Sequence, residues 1–183
     1  MSSSPSASIG AVEFLPRLDF SEKDIASFDC GTPQLNQWLK QYSRGSAKKG
    51  LTTAIMVEKG KHLPILGYAT VCASTVEKAL LPEARQSGLG SYPVSVFLIA
   101  RFAVSKDHQG QGLGRRQLMH IFKNTYQAIS TGLIGARGII VDAKDQGAVD
   151  FYQKFDLELF ADQTTFPKRM FIAYETIQDS LLP

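Results

Sequence analysis

The segment Gln109-Gly110-Gln111-Gly112-Leu113-Gly114 is where the residue types of this 183-residue chain point most directly at a ligand. It follows an apolar run, Val94 to Val104, suited to a strand, and leads into an amphipathic stretch, Arg115 to Ile129. A strand, a glycine-rich turn and a helix start together make a phosphate cradle. Backbone N–H groups point at the anion, and the helix dipole favours its charge. Glycine serves there because a Cβ would block the approach of the backbone. The expected ligand is nucleotide-like and held through its pyrophosphate. The plain alternative is an ordinary glycine-rich loop. With glycine at roughly 7% of average residues, such a pattern arises by chance in about one chain in ten of this length.

Spacing narrows the ligand. Gly114 is followed by Arg115 and Arg116, so the Lys-Ser/Thr ending of a nucleoside-triphosphatase loop is missing. Glycines at 110, 112 and 114 do not fit the dinucleotide fingerprint, and no acidic residue stands about twenty positions on to hold a ribose.

Tyr152, next to Phe151, carries a phenol. A phenol with an ordinary pKa near 10 keeps its proton at neutral pH and can donate it. The alternative for Tyr152 is a core aromatic on an amphipathic helix. A general base is not evident. His62, His108 and His120 are scattered without sequence partners, and His108 is expected in solvent. Glu58, Glu77 and Glu83 are not singled out by any neighbour. Cys30 and Cys72 are too few for a disulfide framework or a zinc site, and no metal is expected. Arg44, Lys48, Lys49, Lys59 and Lys61 lie within eighteen residues, opposed only by Glu58. Such a run is either a solvated helix face and turn or a surface for a polyanion.

The elements that must carry these residues follow from periodicity. Val12–Leu18 is expected as a strand, and Ser21–Phe28 as a short helix capped by Ser21. Pro33–Arg44 is expected as a helix capped by Thr32, with Leu35, Trp38, Leu39 and Tyr42 at helical spacing and Trp38 and Tyr42 in the core. Thr52–Glu58 and Ile65–Glu77 suit an antiparallel pair joined at Lys59-Gly60-Lys61. Leu80–Tyr92, with Pro82, Gly88 and Gly90, is expected as a loop. Val94–Val104 suits a strand buried on both faces. Gly112–Ser130 follows as a helix with Leu113, Leu118, Ile121, Phe122 and Ile129 inward. Then come a strand at Gly138–Asp142 and a helix at Asp145–Phe155, with Ala148, Phe151, Tyr152 and Phe155 on its inner side. Leu157–Ala161 and Lys168–Tyr174 close the chain as strands. The order gives an α/β fold with a mixed sheet and helices on both faces.

Composition fits one domain with a sizeable core. Net charge is +3, which alone says little about partners. No apolar run is long enough to span a bilayer. The Ser-rich start of residues 1–10 reads as a disordered tail without the marks of a signal peptide, and residues 11–183 as the domain. The expected location is the cytoplasm.

Taken together, these residues resemble the GNAT acetyltransferases, the acetyl-CoA-dependent N-acetyltransferase superfamily. Gln109, Gly112 and Gly114 match its pyrophosphate motif, [Arg/Gln]-x-x-Gly-x-[Gly/Ala]. Ile99-Ala100-Arg101-Phe102-Ala103-Val104 looks like its fourth strand. Asp145-x-x-Ala148-x-x-Phe151-Tyr152-x-x-Phe155 is similar to its late helix, with Asp145 in place of the usual Asn and Asp156 where Gly is usual. The resemblance implies a single domain with a mixed sheet splayed between its fourth and fifth strands. It implies acetyl-CoA held by Phe102, Ala103, Val104, Gln109, Gly110, Gln111, Gly112, Leu113, Gly114, Arg115, Asp145 and Phe151. It also implies that main-chain groups around Phe102 and Val104 polarise the thioester carbonyl, and that Tyr152 is the general acid.

A narrower resemblance covers nearly the whole chain. Phe28-Asp29-Cys30-Gly31 before Leu35-Asn36-Gln37-Trp38-Leu39, Tyr92-Pro93-Val94-Ser95-Val96, and Asp142-Ala143-Lys144-Asp145 look like the GNAT toxins paired with ribbon-helix-helix antitoxins. That branch implies acetylation of aminoacyl-tRNA, a homodimer with a basic groove, and Arg44, Lys48, Lys49 and Arg85 as substrate-binding residues. The missing base is compatible with this substrate. A lysine amine, pKa about 10.4, is neutral about once in a thousand at physiological pH, whereas an α-amine, pKa about 7.7–8.0, is neutral in roughly a fifth to a third of molecules. A small amine or protein N-terminus as acceptor, and a non-catalytic acetyl-CoA-binding protein, stand as the alternatives.

Overall fold

The computed structural model describes residues 9–88 and 90–181. Most of the Ser-rich start lies outside the described residues. Seven strands form one sheet in the order β1-β2-β3-β4-β5-β7-β6. They are β1 (Val12–Pro16), β2 (Thr52–Glu58), β3 (Gly67–Val76), β4 (Val94–Val104), β5 (Gly138–Ala143), β6 (Glu158–Leu159) and β7 (Lys168–Ala173). β4 and β5 run parallel, while β1 with β2, β5 with β7, and β6 with β7 are antiparallel. The helices are α1 (Glu22–Ile25), α2 (Pro33–Gln37), α3 (Ser43–Lys48), α4 (Leu113–Ser130), α5 (Gln146–Gln153) and α6 (Tyr174–Leu181). The chain forms two compact units, the first running to Thr70 and including Arg101–Met119, the second made of Val71–Ala100 and the residues from His120 on.

In the first unit, alternation along the strands sorts side chains to two faces. Leu15, Ile55, Val57 and Ala103 pack with Phe20, Ile25, Phe28, Leu39 and Tyr68. Val12, Phe14, Met56 and Val104 pack with Leu113 at the start of α4. One face is therefore covered by the α1–α3 segment and the other by α4. The Ser21 cap appears as a full capping box with Asp24.

Thr32 precedes α2 but its side chain makes no cap bond to the helix. Asn36 organises this entry instead: its Oδ1 accepts from Cys30 N–H at 2.9 Å, and its Nδ2 donates to Asp29 at 2.7 Å. The expected single helix is interrupted by a π-helical turn over Trp38–Tyr42. Beside it, buried Arg17 donates to Ser43 Oγ at 2.5 Å, to Phe20 O at 2.8 Å and to Glu22 at 3.2 Å. Arg17 also ends β1 early, because a short 3-10 turn at Arg17–Asp19 replaces the expected strand residues. Tyr42 is 54% exposed, which corrects its expected place in the core. It falls outside the buried stripe because the π turn shifts the helical phase.

In the second unit, Val94, Val96, Ile140, Phe171, Ala173 and Val76 form the main cluster. β4 alternates between buried and more open positions, so it is not buried on both faces. On α5 the buried residues are Val149 and Tyr152, while Ala148, Phe151 and Phe155 are only half-buried. The 80–92 segment follows a 3-10 turn at Lys78–Leu80 and contains another at Glu83–Arg85. The chain does not close on strands, since α6 follows β7. Its one buried residue, Ile177, leaves little periodic signal.

Candidate active site

The first unit holds the glycine turn. β4 pairs with β5 only over Phe97–Ile99, and β4 continues to Val104. Along a strand, N–H and C=O groups alternate between its two edges. Ser105 N–H donates to Leu66 O at 2.8 Å, and Ala103 O faces Gly67. The edge carrying 103 and 105 therefore faces β3. The main-chain groups of Phe102 and Val104 lie on the other edge, past the last pair with β5.

Gln109 anchors the turn that follows. Its Nε2 donates to Val104 O at 3.1 Å and to Cys30 O at 3.2 Å. The Cys30 segment is fixed in turn by Asp29, which pairs with Lys106 at 2.7 Å and accepts from Gly31 N–H at 2.8 Å. The Lys106 ammonium, with the Gly31 and Asn36 donors, holds the Asp29 carboxyl well below the usual carboxylate range. Gly110 and Gly112 have φ of +77° and +74°, with open space where a Cβ would stand. Backbone conformation, not crowding, demands glycine at both. α4 starts at Leu113, and Arg116 N–H makes an early helical bond to Gly112 O at 3.2 Å. The amides just ahead of it have no partner within the helix. Gln111 is half-buried, Arg115 is exposed, and Arg116 donates to Gly10 O.

A residue absent from the expected site supports this strand from below. Gln117, 1% exposed on α4, donates through Nε2 to Tyr68 O at 2.9 Å and Ala103 O at 3.4 Å. Its Oε1 is buried without a hydrogen-bond partner. A Cβ on Gly67 would stand 2.6 Å from Ala103 O and 2.7 Å from that Oε1. The available signal was a polar residue on the inward face of an amphipathic helix.

The remaining expected residues of the first unit divide. Arg44 donates to Phe20 O at 3.0 Å and lies 3.9 Å from Glu22, while Lys48 and Lys49 are exposed. His62 stacks on Phe20 and stands 3.5 Å from Asp24. His108 is half-buried with Nδ1 3.3 Å from Ser105 Oγ, so it is less exposed than its position beside the turn suggested.

The second unit holds the phenol. Tyr152 is 5% exposed, and burial pushes its pKa upward, so the hydroxyl keeps its proton. Phe151 meets Tyr152 edge-on at 5.1 Å and Phe155 at 5.2 Å. Asp145 caps α5, its Oδ1 accepting from Ala148 N–H at 2.8 Å. Asp156, where the resemblance expects glycine, adopts φ of +61° and so keeps the left-handed turn. Arg85 is paired with Glu158 at 2.6 Å. Burial lowers the pKa of His120, and the neighbouring Lys123 adds to the shift. Among the described residues, no three His, Cys, Asp or Glu side chains converge as a metal site, and no helix is long and apolar enough to cross a membrane.

The acetyltransferase (GNAT) domain family matches residues 29–168, a span containing the end of β4, the glycine turn and Tyr152. The chain belongs to the GNAT acetyltransferase family. This acetyltransferase is 28% identical over 144 residues to a tRNA-acetylating toxin of Mycobacterium tuberculosis (strain ATCC 25618 / H37Rv), covering 79% of this chain and 84% of that protein. Among solved structures it resembles AtaT complexed with acetyl-methionyl-tRNAfMet, with a TM-score of 0.80 and 23% identity over 93% of this chain and 99% of that one. It also resembles a mutant AtaT toxin bound to the C-terminus of the antitoxin AtaR and acetyl-CoA. There the TM-score is 0.67 and the identity 22%, over 93% of this chain and 97% of that one. These structural likenesses show that the GNAT chain has the GNAT fold.

Proposed function

We propose that residues 11–183 form one acetyltransferase domain that moves acetyl from acetyl-CoA to the amino group of aminoacyl-tRNA, acting as a translation-blocking toxin. The observation that carries the acceptor is the similarity to a tRNA-acetylating toxin over 84% of that protein's length. The strand edge and the turn fit the co-substrate. Main-chain groups of Phe102 and Val104 suit an extended amide-bearing arm. The Gly110 and Gly112 turn, with the start of α4, suits a pyrophosphate. Acetyl-CoA supplies an activated acyl group as its thioester.

In this reading the turn anchors the co-substrate far from the reacting carbon and so fixes its position. The amides on this edge of β4 polarise the carbonyl. Tyr152 donates a proton to the departing sulfur, since a phenol is protonated at neutral pH even without the upward shift that burial gives this one. The α-amine needs only modest help to be neutral, which relieves the site of a dedicated base. Lys48 and Lys49, with Arg44 on the same helical segment, supply positive charge toward the nucleic acid. A ribbon-helix-helix antitoxin, a homodimer and a cytoplasmic location complete the proposal.

Mass spectrometry of a pool of charged tRNA incubated with the protein and acetyl-CoA tests it. The expected product is N-acetylated aminoacyl ends, lost in a folded Tyr152→Phe variant. Unmodified tRNA together with intact acetyl-CoA binding would instead favour a small-amine or protein N-terminal acetyltransferase. Full activity in Tyr152→Phe would remove the phenol from the reaction.

A further inference from the structure

Arg101 stands on β4 one residue before Phe102, and its surroundings differ from those of the other shielded arginines. Arg17, Arg44, Arg85, Arg101 and Arg169 are the arginines at least partly withdrawn from solvent among the described residues. Arg17 donates to Ser43, Phe20 and Glu22, and Arg44 donates to the Phe20 carbonyl. Arg85 donates to Glu158, and Arg169 to both carboxylate oxygens of Asp142. Arg101 alone has no oxygen acceptor among the described residues. Its guanidinium carbon lies 4.1 Å from the centroid of the Trp38 ring. Trp38 stacks on Tyr68 at 5.8 Å, and the Tyr68 hydroxyl donates to Leu35 O at 2.8 Å. The ring is thus held by a second aromatic, and it sits on the π-helical turn that breaks the helix.

A guanidinium seated on an indole keeps its charge and its in-plane N–H donors. Those donors form a fork matched to a phosphate or carboxylate, and leaving them unpaired in a half-buried position is costly. The face of the sheet decides which anion. Arg101 packs on Trp38, which belongs with Ala103, Tyr68 and Leu39 on the face covered by α1–α3. The glycine turn leads into α4, whose Leu113 packs with Val104 on the opposite face. Arg101 is therefore on the other side of the sheet from the helix start that suits the pyrophosphate. The π turn carrying Trp38 runs directly into α3, which holds Arg44 and Lys48 and is followed by Lys49.

We propose that Arg101, seated on Trp38, is a substrate-binding residue that takes a backbone phosphate of the acceptor tRNA. This rests on the aminoacyl-tRNA reading above. The test is a tRNA binding titration over a series of salt concentrations, with acetyl-CoA binding measured separately by calorimetry on the same protein.

Arg101→Gln is expected to weaken tRNA binding about tenfold at low salt and to lower the salt slope by about one, with acetyl-CoA affinity unchanged. Arg101→Lys keeps a charge but loses the planar fork, so several-fold weaker tRNA binding with an unchanged slope is expected. If Arg101→Gln does not fold, Arg101→Lys decides. Wild-type tRNA affinity in the folded variant overturns the proposal. An equal loss of acetyl-CoA affinity also overturns it, because the anion would then be the co-substrate's. Absence of tRNA binding by the wild-type protein would sink the aminoacyl-tRNA reading itself, and this proposal with it. Wild-type binding that Arg101→Gln leaves intact sinks this proposal alone.

Discussion

Tyr152 and Gln117 are two buried polar side chains for which different roles are proposed. Tyr152 is withdrawn from water on α5, and burial raises its pKa, so the phenol is protonated at neutral pH but is a weaker acid than an exposed tyrosine. Gln117 is held inside the fold by its own hydrogen bonds. Its amide bridges Tyr68 O and Ala103 O and so fixes the β4 backbone next to Phe102 and Val104. Replacing Gln117 with Leu removes both bonds and leaves two carbonyls short of a donor, a loss of about 1–3 kcal/mol in stability. We expect Gln117→Leu to remain folded, with its acetyl-CoA dissociation constant raised about tenfold. Calorimetry on the folded variant checks this; a lower Tm with unchanged affinity would leave Gln117 a packing residue only. Tyr152 was legible in the sequence because it sits in a spaced pattern beside Phe151. Gln117 was not, because its importance comes from two carbonyls, at 68 and 103, that only folding brings to it.

At the scale of elements, glycine positions separate two physical causes. Gly110 and Gly112 turn the chain through positive φ with free space around them. Gly138, at the start of β5, has no space: a Cβ there would stand 2.0 Å from Ile172 O on β7. Gly138→Ala is expected to destabilise the fold by about 3 kcal/mol through overpacking against a backbone oxygen that a paired strand cannot move. Denaturant unfolding measures it, and a change near zero would show that the β5–β7 ladder shifts freely. The strands and α4 were readable from their periods. The π turn at Trp38–Tyr42 was not, because helical spacing before and after it looks continuous in sequence. Thr32 was an apt cap by type, yet the entry to α2 is organised by Asn36, since Cys30 N–H and Asp29 both come within its reach. α6 carries no readable pattern because a single buried residue, Ile177, gives no stripe.

For the whole molecule, the proposed homodimer makes a direct demand: light scattering at micromolar concentration should give twice the mass of the 20.1 kDa chain. A monomer mass would oppose it. The charge of the assembly is a separate matter. Net charge is only +3, so attraction for a polyanion depends on where the cations lie. Lys61 is spent on Glu58 at 2.8 Å, and Arg44 is partly engaged by Phe20 O, whereas Lys48 and Lys49 remain exposed. The basic run that looked uniform in sequence is thus unequal once folded.

The sequence by itself determined the family, the glycine turn, the aromatic pair at Phe151 and Tyr152, and the order of most elements. These are local properties, carried by spacing of 2.0 or 3.6 residues and by residues that permit unusual φ. Even the departure at Asp156 keeps its local purpose, because aspartate tolerates the left-handed turn that glycine usually makes. Only the tertiary structure decided what distant residues do to one another. It set Arg101 on the Trp38 ring, Gln109 on the Cys30 carbonyl, and Gln117 on the Tyr68 and Ala103 carbonyls. Hydrogen-bond and ring contacts across dozens of residues depend on register and on which face of the sheet a side chain reaches, and neither is written in any one segment.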